Sequence, residues 1–339
     1  MATRNKPLKI GLLTSGGDAP GMNAAIRAIT LAAKHHKLIC YGFHHGYNGL
    51  INQDFCILQP DDVTNIIHQG GTILKSARCP EMLSPTGIKQ AVSCLIKENI
   101  DALIVIGGDG SFNGMLAIQE YWQGKLIGLP GTIDNDLDGT EFTIGFYTAI
   151  NTAINAIDKI RDTADAFDRV FVVELMGRHS GQIAFNVGVA CAAEQIISFE
   201  NFDPLAQEAK LAKIIADIEQ QKQNKAHSYL IVLAENLWPG GAHALGEALK
   251  QQGNIDVGIC VLGHIQRGGS PVAKDRILAT KLGVAAIEAI LLERSGIMIG
   301  ECESKITYTP LTKAIQHKKV VNDDLIKVYD STASHARVD

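Results

Sequence analysis

Three aspartates lie in glycine-rich segments that directly follow apolar runs of the chain. Asp109 stands in GGDGS (107–111), and Asp134 and Asp136 stand two residues apart in PGTIDND (130–136). A single carboxylate between glycines suits Mg²⁺, which proteins hold through one or two carboxylates, water and substrate phosphates. Two carboxylates two residues apart on a loop can point the same way, so one can accept a hydroxyl proton while the other orients it. These residue types indicate phosphoryl transfer, with turn capping as the alternative role for Asp134.

Cationic side chains accompany these carboxylates. Arg78, Arg169, Arg178 and Arg267 lie in or near glycine-rich segments and offer forked donors that match phosphate oxygens. A surface ion pair is the alternative role for each arginine taken alone. His264 precedes Arg267 by three residues, which favours a hydrogen-bond donor to a substrate over a packed histidine.

Five segments concentrate the glycines: TSGGDAPG (14–21), GGDGS (107–111), PGTIDND (130–136), MGR (176–178) and GHIQRGGSP (263–271). Any one of them alone is typical of a tight turn. Together with their charged residues they favour a phosphate site, because small side chains let backbone N–H groups and helix N-termini approach phosphate oxygens. The chain has no Walker A sequence, no GxGxxG after the first strand, and no protein-kinase, HExxH or GxSxG motif, which excludes the commonest nucleotide-binding and hydrolytic sites.

Short apolar runs alternate with helical periodicity along the chain. The runs predict buried strands at 9–13, 38–41, 102–106, 126–129, 170–174 and 229–234. Helices are predicted from Pro20 and from Ser111, and over 61–68, 85–97, 148–162, 183–193, 208–221 and 274–292. This order predicts an α/β protein with two Rossmann-like lobes, mostly parallel sheets flanked by helices, and an active site in the cleft between the lobes.

Composition excludes several classes of protein. The 339 residues are 46% hydrophobic with a net charge of −5, which predicts about two domains and argues against a general nucleic-acid binder. The seven cysteines are odd in number and form no CxxC pair, so a disulfide framework or a zinc site is not expected. The N-terminus resembles no signal peptide and no apolar run reaches membrane-spanning length, so we expect a cytoplasmic protein without membrane partners.

The five segments, read as TSGGDAPGMNAAIR, IGGDGS, GLPGTIDND, ELMGR and LGHIQRGGSP, occur in the order typical of one family. The chain resembles, over nearly its whole length, the ATP-dependent 6-phosphofructokinase family in its short bacterial form. The resemblance implies Mg²⁺-dependent transfer from ATP to the 1-hydroxyl of fructose 6-phosphate in glycolysis, by a homotetramer whose active sites are shared between subunits. It also implies a nucleotide-binding lobe of residues 1–145 plus 266–310 and a sugar-phosphate-binding lobe of residues 146–265 plus 311–339.

The same resemblance implies a role for each matching residue. Asp134 looks like the base that takes the proton of the 1-hydroxyl, and Asp109 like the Mg²⁺ ligand. Thr132 and Asp136 look like partners of Asp134 at the sugar, and Gly17 and Arg178 complete the catalytic set. The ATP site would comprise Gly17, Arg78, Cys79, Gly108, Asp109, Gly110 and Ser111. The sugar phosphate would contact Thr132, Asp134, Asp136, Met176, Gly177, Arg178, Glu235, His264 and Arg267, with Arg169 reaching the 6-phosphate of a neighbouring subunit.

Two glycines bear on the phosphoryl donor. Relatives that use pyrophosphate typically have Asp where this chain has Gly110 and Lys where it has Gly131, so ATP is favoured. The alternatives are a pyrophosphate-dependent enzyme, a kinase of another sugar phosphate such as sedoheptulose 7-phosphate, and a non-catalytic sensor or regulatory homologue. The presence of Asp109, Asp134 and Arg178 disfavours the non-catalytic alternative.

The chain departs from its relatives in two places. Gly258 stands where a second inter-subunit arginine is usual, and the loss of that phosphate contact should weaken sugar binding by roughly 1.5–3 kcal/mol. At the effector site of the family Arg27 and Arg161 match, whereas basic residues are replaced at four other positions. We therefore expect weak or absent regulation by ADP or phosphoenolpyruvate. The four replaced positions are Leu31, Asp54, Asn224 and Ala226.

Overall fold

The computed structural model describes residues 6–223 and 228–333, which form eleven strands and eleven α-helices. The strands are β1 (Lys9–Thr14), β2 (Ile39–Phe43), β3 (Phe55–Leu58), β4 (Ala102–Gly107), β5 (Lys125–Pro130), β6 (Val170–Leu175), β7 (Gln195–Ile197), β8 (Tyr229–Ala234), β9 (Val257–Val261), β10 (Ile297–Cys302) and β11 (Lys305–Pro310). The helices are α1 (Met22–His35), α2 (Tyr47–Asn52), α3 (Pro85–Lys97), α4 (Asp109–Gln119), α5 (Phe146–Ala166), α6 (Gln182–Ala190), α7 (Gln207–Gln223), α8 (Gly241–Gly253), α9 (Ala273–Leu291), α10 (Leu311–Ala314) and α11 (Asp323–Thr332).

The chain divides into two compact units. The first comprises residues 1–133, 137–148 and 267–318, and the second comprises 134–136, 149–266 and 319–339. Three of the points where the chain passes from one unit to the other fall within or at the end of PGTIDND and GHIQRGGSP, the segments that carry candidate catalytic residues.

The first unit contains a seven-stranded sheet in the order β11-β10-β5-β4-β1-β2-β3. Its inner strands are parallel, and only the outermost pairs β2–β3 and β10–β11 are antiparallel. Strand β4 is buried at every residue, as expected for a parallel strand with both faces covered. Helices α1 and α9 pack closely because Gly283 brings α9 against Ala28, where a Cβ on the glycine would lie 2.8 Å from the alanine Cβ.

The second unit contains a four-stranded parallel sheet in the order β7-β8-β6-β9. Strand β8 is buried throughout, whereas β9 lies at the edge and is half-buried or exposed. The predicted α/β fold with mostly parallel sheets flanked by helices is confirmed in both units.

Several predicted helices differ from the structure at their ends, and two of the differences have a cause in the backbone. The helix predicted over 61–68 is wrong: a short 3₁₀-helix covers Pro60–Val63, and Asn65 has a φ of +59°, which an α-helix does not tolerate. The helix predicted from Pro20 begins at Met22, because Gly21 has a φ of +116°. Both differences come from left-handed residues that apolar periodicity does not reveal.

Two further features concern the chain as a whole. All seven cysteines are free thiols. Of the helices that the structure describes, none combines the length and hydropathy that a membrane span requires.

Candidate active site

In the first unit, the glycine loop that follows β1 is held by hydroxyl groups. The Ser76 hydroxyl donates to the Gly16 carbonyl at 2.6 Å, and the Thr14 hydroxyl donates to the Lys75 carbonyl at 2.8 Å. Gly16 itself has a φ of +84°, in the region that favours glycine. These bonds tie residues 75–76, two to four residues before Arg78 and Cys79, to the glycine loop at the end of β1.

The turn between β4 and α4 lies against the same loop. Ser15 N–H donates to the Ile106 carbonyl at 3.0 Å. A Cβ on Gly107 would lie 2.4 Å from Ser111 Oγ and 2.6 Å from the Ser15 carbonyl oxygen, so only glycine allows this approach. Helix α4 begins at Asp109, and the first N–H groups of a helix have no carbonyl of a preceding turn to bind, which makes helix N-termini suitable for anions. The turn thus offers backbone donors next to the loop of β1.

Asp109 and Cys79 supply a carboxylate and a thiol to this region. The Asp109 carboxylate lies 3.4 Å from His317 Nε2. Within residues 6–223 and 228–333, no group of three or more His, Cys, Asp or Glu side chains is arranged to hold a metal. The Cys79 thiol donates to Glu81 at 3.5 Å, and burial raises its pKa. Asp109 and Cys79 thus each have a side-chain partner in this region.

Thr132 and Gly131 lie beside the β4 turn. Gly131 N–H donates to the Gly107 carbonyl at 3.0 Å, and a Cβ on Gly108 would lie 3.6 Å from Thr132 Cβ. Thr132 is buried. The structure thus joins, within the first unit, the segments that begin at Thr14 and Gly107 and the first part of PGTIDND, residues 130–133.

Arg267 also lies in the first unit, against the glycine loop. Its Nη1 donates to the Asp18 carbonyl at 3.3 Å, and a Cβ on Gly17 would lie 2.2 Å from the same nitrogen. The guanidinium therefore occupies the space that the missing side chain of Gly17 leaves open. Its expected role, a grip on the sugar 6-phosphate, rests on the resemblance alone.

Asp134 and Asp136 lie in the second unit. Asp134 is 6% exposed and Asp136 is half-buried. Between them Asn135 takes a left-handed φ of +53°, and its Oδ1 accepts a 2.7 Å hydrogen bond from Lys319 Nζ. The lysine contact fixes the turn that carries both carboxylates.

The MGR segment after β6 is shaped by three side chains of the same unit. Glu235 Oε1 accepts hydrogen bonds from the N–H groups of Gly177 at 3.0 Å and Arg178 at 2.7 Å. Gln266 Oε1 accepts from Met176 N–H at 2.8 Å, and Asn236 Nδ2 donates to the Arg178 carbonyl at 3.2 Å. The carboxylate lets Arg178 hold its left-handed φ of +57°. Met176, Gly177, Arg178 and Glu235 are thus together, as a single sugar site would require.

The remaining residues predicted to contact the sugar phosphate, and Gly258, lie on or after the edge strand β9 or just before β6. His264 is exposed in the 3₁₀-helix Gly263–Arg267. Arg169 is exposed, and its Nε lies 3.0 Å from Asp256 Oδ2. Gly258 lies opposite Phe171 on β6, and a Cβ there would lie 2.4 Å from the phenyl ring. A larger residue at position 258 would therefore require the ring to move.

Sequence reasoning missed the residues that hold these loops. Ser76, Gln266 and Asn236 position their neighbours through hydrogen bonds across 58 to 90 residues of chain. Of these three residues only Gln266 lies within a glycine-rich segment, between His264 and Arg267, so its position in the sequence could have indicated a role at the site. The contact of His317 with Asp109 had no signal in the sequence.

Two of the residues at the predicted effector positions, Arg161 and Asp54, make contacts within the chain. Arg161 Nη2 donates to the carbonyls of Cys191 and Ala192 at 2.9 and 2.7 Å. Asp54 accepts from His44 Nδ1 at 2.9 Å. Arg27 and Leu31 are half-buried on α1, whereas Asn224 and Ala226 lie outside the described residues.

The chain matches one protein family over most of its length. The family model of phosphofructokinase matches residues 9–290, a range that includes all five glycine-rich segments and the whole four-stranded sheet. The chain belongs to the phosphofructokinase family.

Two curated relatives of the family cover almost the whole chain. The ATP-dependent 6-phosphofructokinase 1 of Thermus thermophilus is 47% identical over 322 residues, which are 94% of this chain and 98% of the relative. The ATP-dependent 6-phosphofructokinase of Clostridioides difficile is 48% identical over 318 residues, 93% of this chain and 96% of the relative.

A solved structure of phosphofructokinase from Saccharomyces cerevisiae is similar with a TM-score of 0.84 and 31% identity. The alignment covers 97% of this chain and 47% of the yeast chain, so this chain spans about half the length of the yeast protein. The similarity thus extends over nearly all of this chain.

Proposed function

We propose that the chain is an ATP-dependent 6-phosphofructokinase, which transfers the terminal phosphoryl group of ATP to the 1-hydroxyl of fructose 6-phosphate. The products are fructose 1,6-bisphosphate and ADP. The observation that carries the proposal is the 47% identity over 94% of the chain with a protein of that name from Thermus thermophilus. The joined glycine-rich segments of the first unit and the MGR–Glu235 cluster of the second support it.

On the donor side, the first unit binds ATP. Backbone N–H groups at Gly17 and at the start of α4, from Gly108 to Gly110, and the Ser111 hydroxyl face the phosphates, while Arg78 and Cys79 contact the rest of the nucleotide. Asp109 would hold Mg²⁺, and the donor set fits: it offers one carboxylate and no protein cage within the described residues, which suits an ion shared with substrate phosphates. When bound, the ion supplies charge neutralisation on those phosphates.

On the acceptor side, most of the proposed sugar-phosphate residues belong to the second unit, whereas Thr132 and Arg267 belong to the first. Asp134 accepts the proton of the 1-hydroxyl as its oxygen attacks phosphorus, and Thr132 and Asp136 hold that hydroxyl and the carboxylate in position. Arg178 stabilises charge on the transferring group, while Glu235 fixes the loop that carries it. No covalent intermediate is needed, because phosphoryl transfer depends mainly on positioning and charge stabilisation.

The 6-phosphate is held by His264 and Arg267, and by Arg169 from a neighbouring subunit. Arg169 is exposed, as an arginine that serves another subunit must be, and Asp256 is its partner within the chain. We propose a cytoplasmic homotetramer with shared active sites. Because Gly258 stands where relatives have a second arginine for this phosphate, we expect weak binding of fructose 6-phosphate.

The choice of ATP over pyrophosphate is supported at two glycines. A Cβ on Gly110 would have no atom within 4 Å, which leaves room for the nucleotide. At Gly131 a Cβ would lie 2.7 Å from Ile106 Cγ2 and 3.1 Å from Met22 Cε, so the lysine typical of pyrophosphate users does not fit this backbone.

The test is a matrix of initial rates with two donors, ATP and pyrophosphate, and two acceptors, fructose 6-phosphate and sedoheptulose 7-phosphate. We expect the highest kcat/KM for ATP with fructose 6-phosphate. A preparation of Asp134→Asn, purified in the same way, measures the background from host kinases. Higher kcat/KM with pyrophosphate or with sedoheptulose 7-phosphate would reject the proposed donor or acceptor.

A further inference from the structure

A thiol, an imidazole and a carboxylate form a hydrogen-bonded chain in the first unit, outside the residues assigned to either substrate. Cys56 Sγ lies 3.7 Å from His44 Nε2, and His44 Nδ1 lies 2.9 Å from Asp54 Oδ1. The cysteine and the histidine are half-buried, and the aspartate is exposed. The three residues therefore form a nucleophile, a base and an orienting group within reach of small molecules in solvent.

The register of the β2–β3 hairpin places them together. Gly42 pairs with Cys56 and Phe43 pairs with Phe55 in this antiparallel ladder. The next residue of each strand extends it, since His44 N–H donates to the Asp54 carbonyl at 3.1 Å. Alternate residues of a strand share a face, so His44, Asp54 and Cys56 point to one side of the hairpin. The cluster is thus a consequence of strand register.

The carboxylate decides which ring nitrogen faces the sulfur as an acceptor. With Nδ1–H donated to Asp54, the lone pair of a neutral His44 lies on Nε2, toward Cys56. This is the arrangement of an activated nucleophile: a thiol beside a base that a third group orients. His44 can therefore take the thiol proton at the moment of reaction.

The surrounding charge would otherwise make Cys56 unreactive. Burial, together with the carboxylates of Asp62 and Asp54, raises the pKa of its thiol. Fewer thiolates are present at neutral pH than for a thiol in water, so exposure and charge alone predict a slow reaction. Any fast reaction of Cys56 must come from His44.

We propose that Cys56 is a modification site that reacts with hydroperoxides to form a sulfenic acid. The thiol proton passes to His44 Nε2, and the sulfur attacks the distal peroxide oxygen. The S–O bond forms as the O–O bond breaks, and the leaving oxygen takes the proton from the imidazolium, giving water or an alcohol. The sulfur loses two electrons and the peroxide gains them, so the step is balanced without another reactant.

Cys260 is the matched control within the chain. It is half-buried on the edge strand β9, as Cys56 is on the edge strand β3, and burial raises its pKa as well. The described structure records no imidazole in contact with its sulfur. A faster reaction at Cys56 than at Cys260 therefore requires the contribution of His44, since the carboxylates beside Cys56 act against it.

The experiment treats the full chain, without substrates, with hydrogen peroxide in the presence of dimedone, and measures adducts at each cysteine by mass spectrometry. We expect Cys56 to react at least about tenfold faster than Cys260, within the range that general-base catalysis supplies. His44→Gln should remove that advantage and leave Cys260 unchanged, and Asp54→Asn should reduce it in part.

Equal rates at Cys56 and Cys260 in the wild-type chain, or a Cys56 rate unaltered by His44→Gln, would overturn the proposal. The Cys260 rate and the thermal unfolding midpoint show whether a variant is folded, and Asp54→Asn serves if His44→Gln is not. Because the readout is an adduct rather than phosphoryl transfer, the result is independent of the proposed kinase function.

Discussion

At the end of β4 in the first unit, backbone packs directly against backbone, whereas at the end of β6 in the second unit side chains hold the loop. Gly107 meets the Ser15 carbonyl with no room for a Cβ. The MGR segment instead depends on Glu235, Gln266 and Asn236, which contribute four hydrogen bonds. We therefore expect the first region to be disturbed by substitutions that add a side chain, and the second by substitutions that remove one.

This difference matches the ligand proposed for each region. Backbone N–H groups bind any phosphate chain and need only close approach, which glycine allows. A sugar phosphate must be oriented so that one hydroxyl reacts, and oriented side chains supply that selectivity. Substitutions in the first region should therefore affect mainly the donor, and substitutions in the second should affect mainly the acceptor.

The largest effect is expected at Asp134, the proposed base on the acceptor side. Asp134→Asn removes the proton acceptor, so kcat should fall by about 10²–10⁴-fold while the Kd of ATP stays within about twofold. Steady-state kinetics and calorimetry measure the two quantities. Asp138→Asn is the control close by in the chain, because the Asp138 carboxylate accepts from Lys318 N–H at 3.1 Å and has no proposed catalytic role. More than a tenth of wild-type kcat in Asp134→Asn would remove the residue from its role.

A smaller effect is expected at Glu235, which holds the MGR segment. Glu235→Ala removes the acceptor of two backbone N–H bonds, and bonds to a charged group contribute about 1.5–3 kcal/mol each. The KM of fructose 6-phosphate should rise by roughly 10–100-fold, with the KM of ATP little changed. Glu235→Gln retains one acceptor oxygen and should recover part of the loss. An equal rise in the KM of ATP would contradict the assignment of the MGR segment to the acceptor.

On the donor side, an added methyl group at Gly107 should destabilise the protein. Gly107→Ala places a Cβ 2.6 Å from a backbone oxygen that cannot move away cheaply, and overpacking costs about 1–3 kcal/mol. Gly108→Ala is the matched control, since its Cβ would meet nothing closer than Thr132 at 3.6 Å. Urea unfolding of both variants measures the difference in the free energy of unfolding. Equal losses would show that close backbone approach does not shape this region.

The smallest effect is expected at the exposed pair of Arg169 and Asp256. Their side chains are 45% and 76% exposed, so Asp256→Ala should change the free energy of unfolding by less than about 1 kcal/mol. Glu194→Ala should cost more, because Glu194 Oε2 also accepts from Leu230 N–H at 2.7 Å inside the second unit. The same unfolding measurement compares them. A larger loss for Asp256→Ala would mean that Arg169 serves stability rather than a neighbouring subunit's substrate.

The buried strands could be read from the sequence, because a parallel strand covered on both faces is a continuous apolar run. The run at 229–234 coincides with β8, and the run at 102–106 falls within β4. The failure at 61–68 has a local cause, since the left-handed Asn65 leaves the apolar periodicity unchanged.

The contacts that assemble the candidate site could not be read from the sequence. Ser76 and Gly16 are 60 residues apart, and no local pattern reveals which loops meet. Asp275 is a second example. It is fully buried, and burial raises the pKa of its carboxyl group. Its carboxylate accepts hydrogen bonds from the N–H groups of Gly145 at 3.0 Å and Thr148 at 2.7 Å, at the start of α5. In the sequence, a single aspartate within a helical pattern does not indicate these hydrogen bonds.

Calorimetry on two variants tests whether Asp109 contributes to binding of the donor and His264 to binding of the acceptor. Each of Asp109→Asn and His264→Ala is titrated separately with Mg²⁺-ATP and with fructose 6-phosphate. We expect Asp109→Asn to weaken ATP binding by about tenfold, the value of one lost charge-assisted contact, and to leave fructose 6-phosphate within about twofold. We expect the reverse for His264→Ala. If both variants weaken binding of the same ligand and leave the other unchanged, the assignment of Asp109 to the donor and His264 to the acceptor is contradicted.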